Sequence, residues 1–347
     1  MPLLVSSPQV GVREDLADYI AIVDAKSTPF VSMAPKGKDL GNSTFSWQVD
    51  NYASPTLAGV VDGTDVTVSS ASNPVPNRTR LYNYAQAFRN DLRIGFYAET
   101  QNVAGVATEL ANGIAKKLIE LKRSMEATFT CTNQAAQADN GTNPYLTGSL
   151  GNWLTATNAS NIGALASGSA FAPASGAVDT TTTANFVEAT AQNVLTAVYG
   201  ATGVFRNYDC LVGTTLKRAF TNLTAGGGSI INGAGTTNTY TQSTVRTFNQ
   251  EISSDTFKSS IDIFTGDFGT LTLHPTVWIG GKNVAALSAQ AYKGYVIPMD
   301  MVEIRYAKLP EVIELPNAGG GPARAIQAIA GLVVKNPNGF GMFNGAS

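Results

Sequence analysis

Histidine is nearly absent from this 347-residue sequence: His274 stands alone, and the only two cysteines are Cys131 and Cys210. One imidazole cannot build the usual His-rich metal site, and two isolated thiols supply neither a disulfide framework nor a zinc spacing. Such cysteine usage fits synthesis in a reducing cytoplasm. Charge is scarce too, at 14% of residues, where a soluble domain carries roughly a quarter. Lys plus Arg total 23 against 25 for Asp plus Glu, a net charge of -2, so the basic surplus of a phosphate-seeking protein is missing. The longest basic cluster, Lys116, Lys117, Lys122 and Arg123, is interleaved with Glu120 and Glu126. No apolar run approaches the ~20 residues of a membrane span. The start, Met1 to Ser6, lacks the basic and long apolar regions of a signal peptide, so Asn-x-Ser/Thr triplets at 42–44 and 158–160 carry only compositional meaning.

What is abundant is apolar and neutral polar, with 44% hydrophobic residues. Two readings suit that balance: a subunit whose surface is largely covered by neighbours, or a Ser/Thr/Asn-rich β protein solvated by neutral groups. Catalytic patterns are missing. A Ser/His/Asp or Cys/His system would have to use His274, and no Gly-x-Ser-x-Gly elbow accompanies it. Cys210 lies in an apolar run that suits an inert buried thiol. Gly226-Gly227-Gly228-Ser229 does not lead into a helix that would hold phosphate. Gly280-Gly281-Lys282-Asn283 lacks the spacing of a P-loop, and Gly319-Gly320-Gly321-Pro322 reads as a turn. The carboxylate pairs Asp262/Asp267 and Glu311/Glu314 have nothing to rank them above solvated charges. The expectation is no enzyme: no catalytic, cofactor-binding or metal-binding residue, and no cofactor.

Along the chain, Val12, Leu16, Tyr19, Ile20 and Val23 share a helical face that ends near Ala25, before an extended Ser27-Thr28-Pro29-Phe30. So short a helix needs a partner surface. Phe45, Trp47 and Val49 alternate with polar residues as a half-exposed strand. Asp62-Gly63 marks a hairpin turn between 57–61 and 66–68, and 78–88 alternates again. Strands with so little apolar backing read as a projecting β-arm. From about Ala98 to Thr130, Val103, Val106, Leu110, Ile114, Leu118, Leu121, Met125 and Phe129 recur at helical spacing. That run predicts a rod of roughly 45 Å, with Lys116–Glu120, Glu120–Arg123 and Lys122–Glu126 paired on its exposed side. Residues 133–183 read as a long irregular surface insertion. Beyond it comes a helix capped at Asn185-x-x-Glu188 and stopping at Gly200. A strand at 208–212, a helix from Thr214/Thr215 to Leu223, a flexible loop to about Thr239 and strands around Gly266–Gly269 follow. The chain closes with strands at 302–306 and 325–334, a turn at Asn336–Gly339 and a last short strand.

The series Arg13-Glu14-Asp15-Leu16 to Ile22-Val23-Asp24, Ser27-Thr28-Pro29-Phe30, Thr44 to Asp50, Arg80 to Phe88 and Glu120 to Glu126 resembles the tailed-phage major capsid proteins of the Hong Kong 97 type. The resemblance runs through most of the chain in the family's order. It implies an α+β, Hong Kong 97-like capsid fold: an N-terminal arm (1–40), an extended β-arm (41–92), a peripheral domain with spine helix and loop insertion (93–183), an axial domain (184–296) and return strands of the peripheral domain (297–347). The implied function is self-assembly through hexamers and pentamers into an icosahedral head enclosing double-stranded DNA. Portal, scaffolding and cement proteins are its implied partners. DNA is contacted weakly and without sequence specificity, and no membrane is involved. The implied location is the virion, after assembly in the host bacterial cytoplasm. A cellular nanocompartment shell of the same fold, or a β-rich phage adhesin or tail protein, are the alternatives.

Overall fold

The computed structural model describes residues 22, 24–52, 55, 57–66, 78–101, 103, 105, 108–155, 172–225, 261–281, 290–317 and 319–345. The amphipathic stretch expected at 12–25 and the loop at 226–239 lie largely or wholly outside these. Where an extended Ser27–Phe30 was expected, a short helix, α1 (Pro29–Met33), already begins at Pro29, with proline in its first turn. Proline is at ease there, because that position has no hydrogen bond to lose.

Strand β1 (Thr44–Val49) pairs antiparallel with β2 (Thr79–Tyr84), Trp47 facing Leu81. This hairpin base is not bare: Phe45, Val49 and Leu81 are buried, and Phe45 closes on Gly331, where a Cβ would clash with its ring. Between the strands, the expected turn is present at Asp62-Gly63, with Gly63 at φ 79°. Residues 57–61 form no strand. Strand β3 (Gln86–Arg93), expected in the arm, instead joins a three-stranded sheet. Period-2 alternation gives a strand's faces but not its partner, and one residue, Ala85, separates the two pairings.

The predicted 98–130 rod is broken. Helix α2 (Phe96–Thr100) ends in an extended Gln101, Gly105 adopts φ 80°, and α3 (Glu109–Phe129) restarts after an extended Thr108. At 21 residues the spine helix is about 31 Å long. Its buried side is Leu121, Met125, Glu126 and Phe129. The expected Lys122–Glu126 surface pair is therefore wrong: Glu126 is fully buried, and the surface pair observed is Lys117–Glu120 at 2.7 Å.

The expectation of a surface insertion at 133–183 fails for residues 145–155, which turn into the body, whereas 138–144 are exposed. Ser149 caps α4 (Leu150–Leu154) by accepting from the Asn152 amide, and Leu150, Trp153 and Leu154 are fully buried. Gln134 ties this stretch to Gln86 and to the Thr147 carbonyl. Strand β4 (Val178–Asp179) follows. Residues 156–171 lie outside the described set. Helix α5 (Glu188–Thr202) starts after Val187, not at an Asn185 cap, and ends at Gly203, whose φ of 66° suits glycine, not at Gly200.

Strand β5 (Arg206–Val212), helix α6 (Thr214–Ala225), and strands β6 (Ile263–Gly266), β7 (Gly269–Pro275) and β8 (Gly294–Ile297) come next. Then β9 (Val302–Leu315) and β10 (Ala323–Val334) form a hairpin, and β11 (Gly341–Phe343) is the last strand. The three-stranded sheet has order β3-β10-β9, and the six-stranded one β4-β11-β8-β5-β7-β6. β4 and β11 thus join the strands of the expected axial region from outside its 184–296 limits. Alternation along β5 shows how the layers meet. Tyr208, Cys210 and Val212 face α5 and α6, whereas Leu211 joins Tyr295, Ile297 and Met342 in the core under the spine helix.

Candidate functional site

The residues with catalytic potential are held apart or satisfied. His274 Nε2 lies 2.9 Å from Asp209 Oδ1, on the sheet face opposite Cys210. Cys210 is fully buried, and desolvation pushes its thiol far above its ordinary value, leaving no nucleophilic thiolate. Asp262 pairs with Lys217, Glu311 with Lys308 and Glu314 with Arg324, while Asp267 sits in the turn after β6. The Gly226 stretch lies outside the described residues. Gly280 accepts the Thr132 amide, and Gly319 and Gly321 turn the chain at φ 88° and 101°. Among the described residues, no group of three or more His, Cys, Asp or Glu is placed to hold a metal, and no helix is long and apolar enough to cross a membrane.

The unsatisfied surface lies elsewhere. On the excursion beyond β1, Tyr52 is 100% exposed, Leu57 97%, Val60 84%, Val61 78% and Val66 91%. Five large apolar side chains clustered in 15 residues and almost bare of contact mark an interaction surface, unlike scattered exposed apolars. A second group, Leu309, Val312 and Leu315, lies on the edge strand β9. That edge is blunted: the register slips between Gln327–Glu311 and Ile329–Lys308, and the bulge contains Pro310, two devices that resist uncontrolled strand addition.

The leader is anchored where it meets the body. Phe30 and Val31 amides donate to Glu126 Oε1 and Oε2 at 2.9 and 2.7 Å, and Phe30 packs edge-on against Phe129. Burial pushes the Glu126 carboxyl from 4.5 up to about 7, against the pull of those amides. Trp278 donates to the Ser27 carbonyl, and Arg123 stacks over the Trp278 ring at 4.9 Å. Beyond α1, Gly37 and Leu40 donate to Ile304 and Tyr306 of β9. Sequence reasoning missed Glu126 and Trp278. The available signal was an acid directly beside the apolar stripe, at Met125-Glu126.

Comparison with known proteins agrees with this architecture. Among solved structures, the Cyanophage A-1(L) capsid asymmetric unit matches with a TM-score of 0.57 at 11% identity, over 96% of each chain. The Cyanophage Pam1 capsid asymmetric unit matches with a TM-score of 0.56 at 11% identity, over 98% of each chain. At such identities the likeness establishes the fold, α+β of the Hong Kong 97 type. A major capsid protein of Escherichia phage Phieco32 is 33% identical over 150 residues, 42% of this chain. The match spans only 40% of that relative's length. The sequence profile of the SU10 major capsid protein covers residues 5–347, nearly the whole chain, and the chain belongs to that family.

Proposed function

We propose that this chain is the shell-forming subunit of a tailed-phage head and that it acts by self-association, without a catalytic step. Family membership supports the class. The single observation that carries the mechanism is the bare apolar run Leu57–Val61, too exposed to be stable in water without a cover from outside its own body. In this reading residues 1–40 are the N-terminal arm and 41–92 the β-arm, although β3 sits in the body's sheet. Residues 93–183 with 297–347 form the peripheral domain and 184–296 the axial domain, which β4 and β11 complete. Copies meet as hexamers and pentamers of a closed icosahedral shell, with each arm over a neighbour. Weak contacts repeated across the shell add to a strong assembly.

Near-neutral net charge suits a container that contacts packaged DNA weakly and without sequence specificity. Portal and scaffolding proteins complete the assembly in the host cytoplasm, cement proteins decorate it, and the virion is where the subunit ends. The test is a triple substitution, Leu57→Asp, Val60→Asp and Val61→Asp. It is expected to leave the subunit folded, with unchanged circular dichroism and melting, while abolishing particles in negative-stain micrographs. Normal shells from this variant would refute the reading.

A further inference from the structure

We propose that Glu126 is a proton-linked latch for the leader, its carboxylate setting how firmly residues 27–40 stay docked on the body of the subunit. The geometry is that of a clasp. Pro29 has no N–H, so the Phe30 and Val31 amides are the first donors at the start of α1, and no partner within that helix exists for them. Both are taken by one carboxylate, Oε1 at 2.9 Å and Oε2 at 2.7 Å, reaching across from a residue 95 and 96 positions away. Glu126 and Phe30 are both at 0% exposure, so neither is reached by water while the leader is down. Downstream, Ile304 donates to Pro35 while Gly37 and Leu40 donate to Ile304 and Tyr306, each at 3.0 Å. Gly37 suits this approach, since a Cβ there would meet the Glu303 carboxylate tip at 2.5 Å and the Arg305 side chain at 2.9 Å. Upstream, Trp278 holds the Ser27 carbonyl at 2.7 Å. The leader is therefore gripped at three places, and only Glu126 among the gripping groups carries a charge buried from water.

The charged and titratable groups around the latch leave that carboxylate without a counter-ion. Helix α1, Pro-Phe-Val-Ser-Met, contributes none. On the spine helix, Lys122 and Arg123 are nearest in sequence, and Arg123 is engaged on the Trp278 ring. On the leader, Asp24 and Lys26 are exposed. From the segment after β7, Trp278 is neutral, and on β7 itself His274 is held by Asp209. Beyond Thr130 stands Tyr295, whose hydroxyl burial keeps well above its ordinary value. The influences on the Glu126 carboxyl are burial, which raises it to about 7, and the two amides, which lower it.

Lifting the leader exposes the carboxyl to water and returns it towards its ordinary 4.5. The docked form therefore binds the proton more tightly than the lifted one. Docking is at full strength below about 4.5 and weakens as pH rises through about 7. Each pH step between those two values changes the docked-to-lifted ratio by up to about tenfold, so the ceiling across that window is on the order of 100-fold. The latch belongs to the single chain, and its test does not require shells to form.

Hydrogen exchange of the full-length chain, followed in peptides covering 27–40 from pH 5 to pH 8 and corrected for intrinsic rates, reads the docked fraction directly. The expected result is protection that falls at least tenfold between pH 5 and pH 8. Peptides from β10 serve as the pH-independent control. Glu126→Gln removes the titration, so its protection profile is expected to be flat with pH whatever its absolute level. A flat wild-type profile, or a Glu126→Gln profile that keeps the wild-type slope, would overturn the proposal. Should the variant fail to fold, the wild-type slope alone decides.

Discussion

Trp278 donates its indole N–H to the carbonyl of Ser27 at 2.7 Å, joining the segment after β7 to the leader across 251 residues of sequence. The same ring carries the Arg123 guanidinium on its face. One side chain thus connects three separate parts of the chain at the point where the leader leaves the body.

Replacing Trp278 by Phe keeps a ring for Arg123 but removes the donor to Ser27. A hydrogen bond at a partly wet site contributes about 1 kcal/mol, so the loss is local and modest. Lys26, exposed and immediately before Ser27, offers tryptic cleavage as the reporter. Cleavage after Lys26 is expected to run about fivefold faster in Trp278→Phe, with the global urea midpoint nearly unchanged. Equal cleavage rates in the two proteins would show that the bond does not restrain the leader.

Asn83 presents the opposite case, a polar group wholly inside. Its Nδ2 donates to the Leu332 carbonyl at 2.7 Å and the Gly148 carbonyl at 3.3 Å, and its Oδ1 accepts from the Gly148 and Tyr84 amides at 2.8 Å each. It joins the arm's base, strand β10 and the segment leading to α4. Asn83→Ala leaves those groups unpaired at a site with 0% exposure, and each orphan costs on the order of 1–3 kcal/mol. Equilibrium urea unfolding is expected to show a loss of about 3 kcal/mol. A loss under about 1 kcal/mol would mean that water takes over the vacated bonds.

These two residues show what the sequence could and could not convey. Strands β5, β7, β10 and β11 and helix α6 were legible because their apolar periodicity is imposed by local burial. The rod was overextended because Val103 and Val106 continue the apolar spacing through Gly105, and the left-handed backbone at Gly105 is not encoded by periodicity. Residues 133–155 looked like surface because Ser, Thr, Asn and Gln dominate there. Several of the buried polar groups there are in fact satisfied internally, as in Gln134 on Thr147, so neutral polar composition does not imply solvent. The leader's anchor at Glu126 and Trp278 was invisible for a related reason: both contacts join residues far apart in sequence, 96 and 251 positions. The exposed apolar arm was legible only as an arm lacking support, and its exposure became explicit once the body was seen to leave it bare.

Acid should act on the molecule through Glu303 as well, with a sign opposite to that of Glu126. Partial burial works to raise the Glu303 carboxyl, but Lys335 at 2.7 Å and Arg305 at 3.2 Å outweigh it and hold the group below its ordinary value. A depressed carboxyl contributes stability above its unfolded value, about 4.5, and loses it as pH falls through the folded value. Lys335 is partly solvent-exposed, so the contribution is small, below about 1 kcal/mol. Comparing wild type with Glu303→Gln by urea unfolding at pH 7 and pH 3 isolates it. The variant is expected to be slightly less stable at pH 7 and equal to wild type at pH 3. A deficit that persists undiminished at pH 3 would place the role of Glu303 in packing against Gly37 and not in its charge.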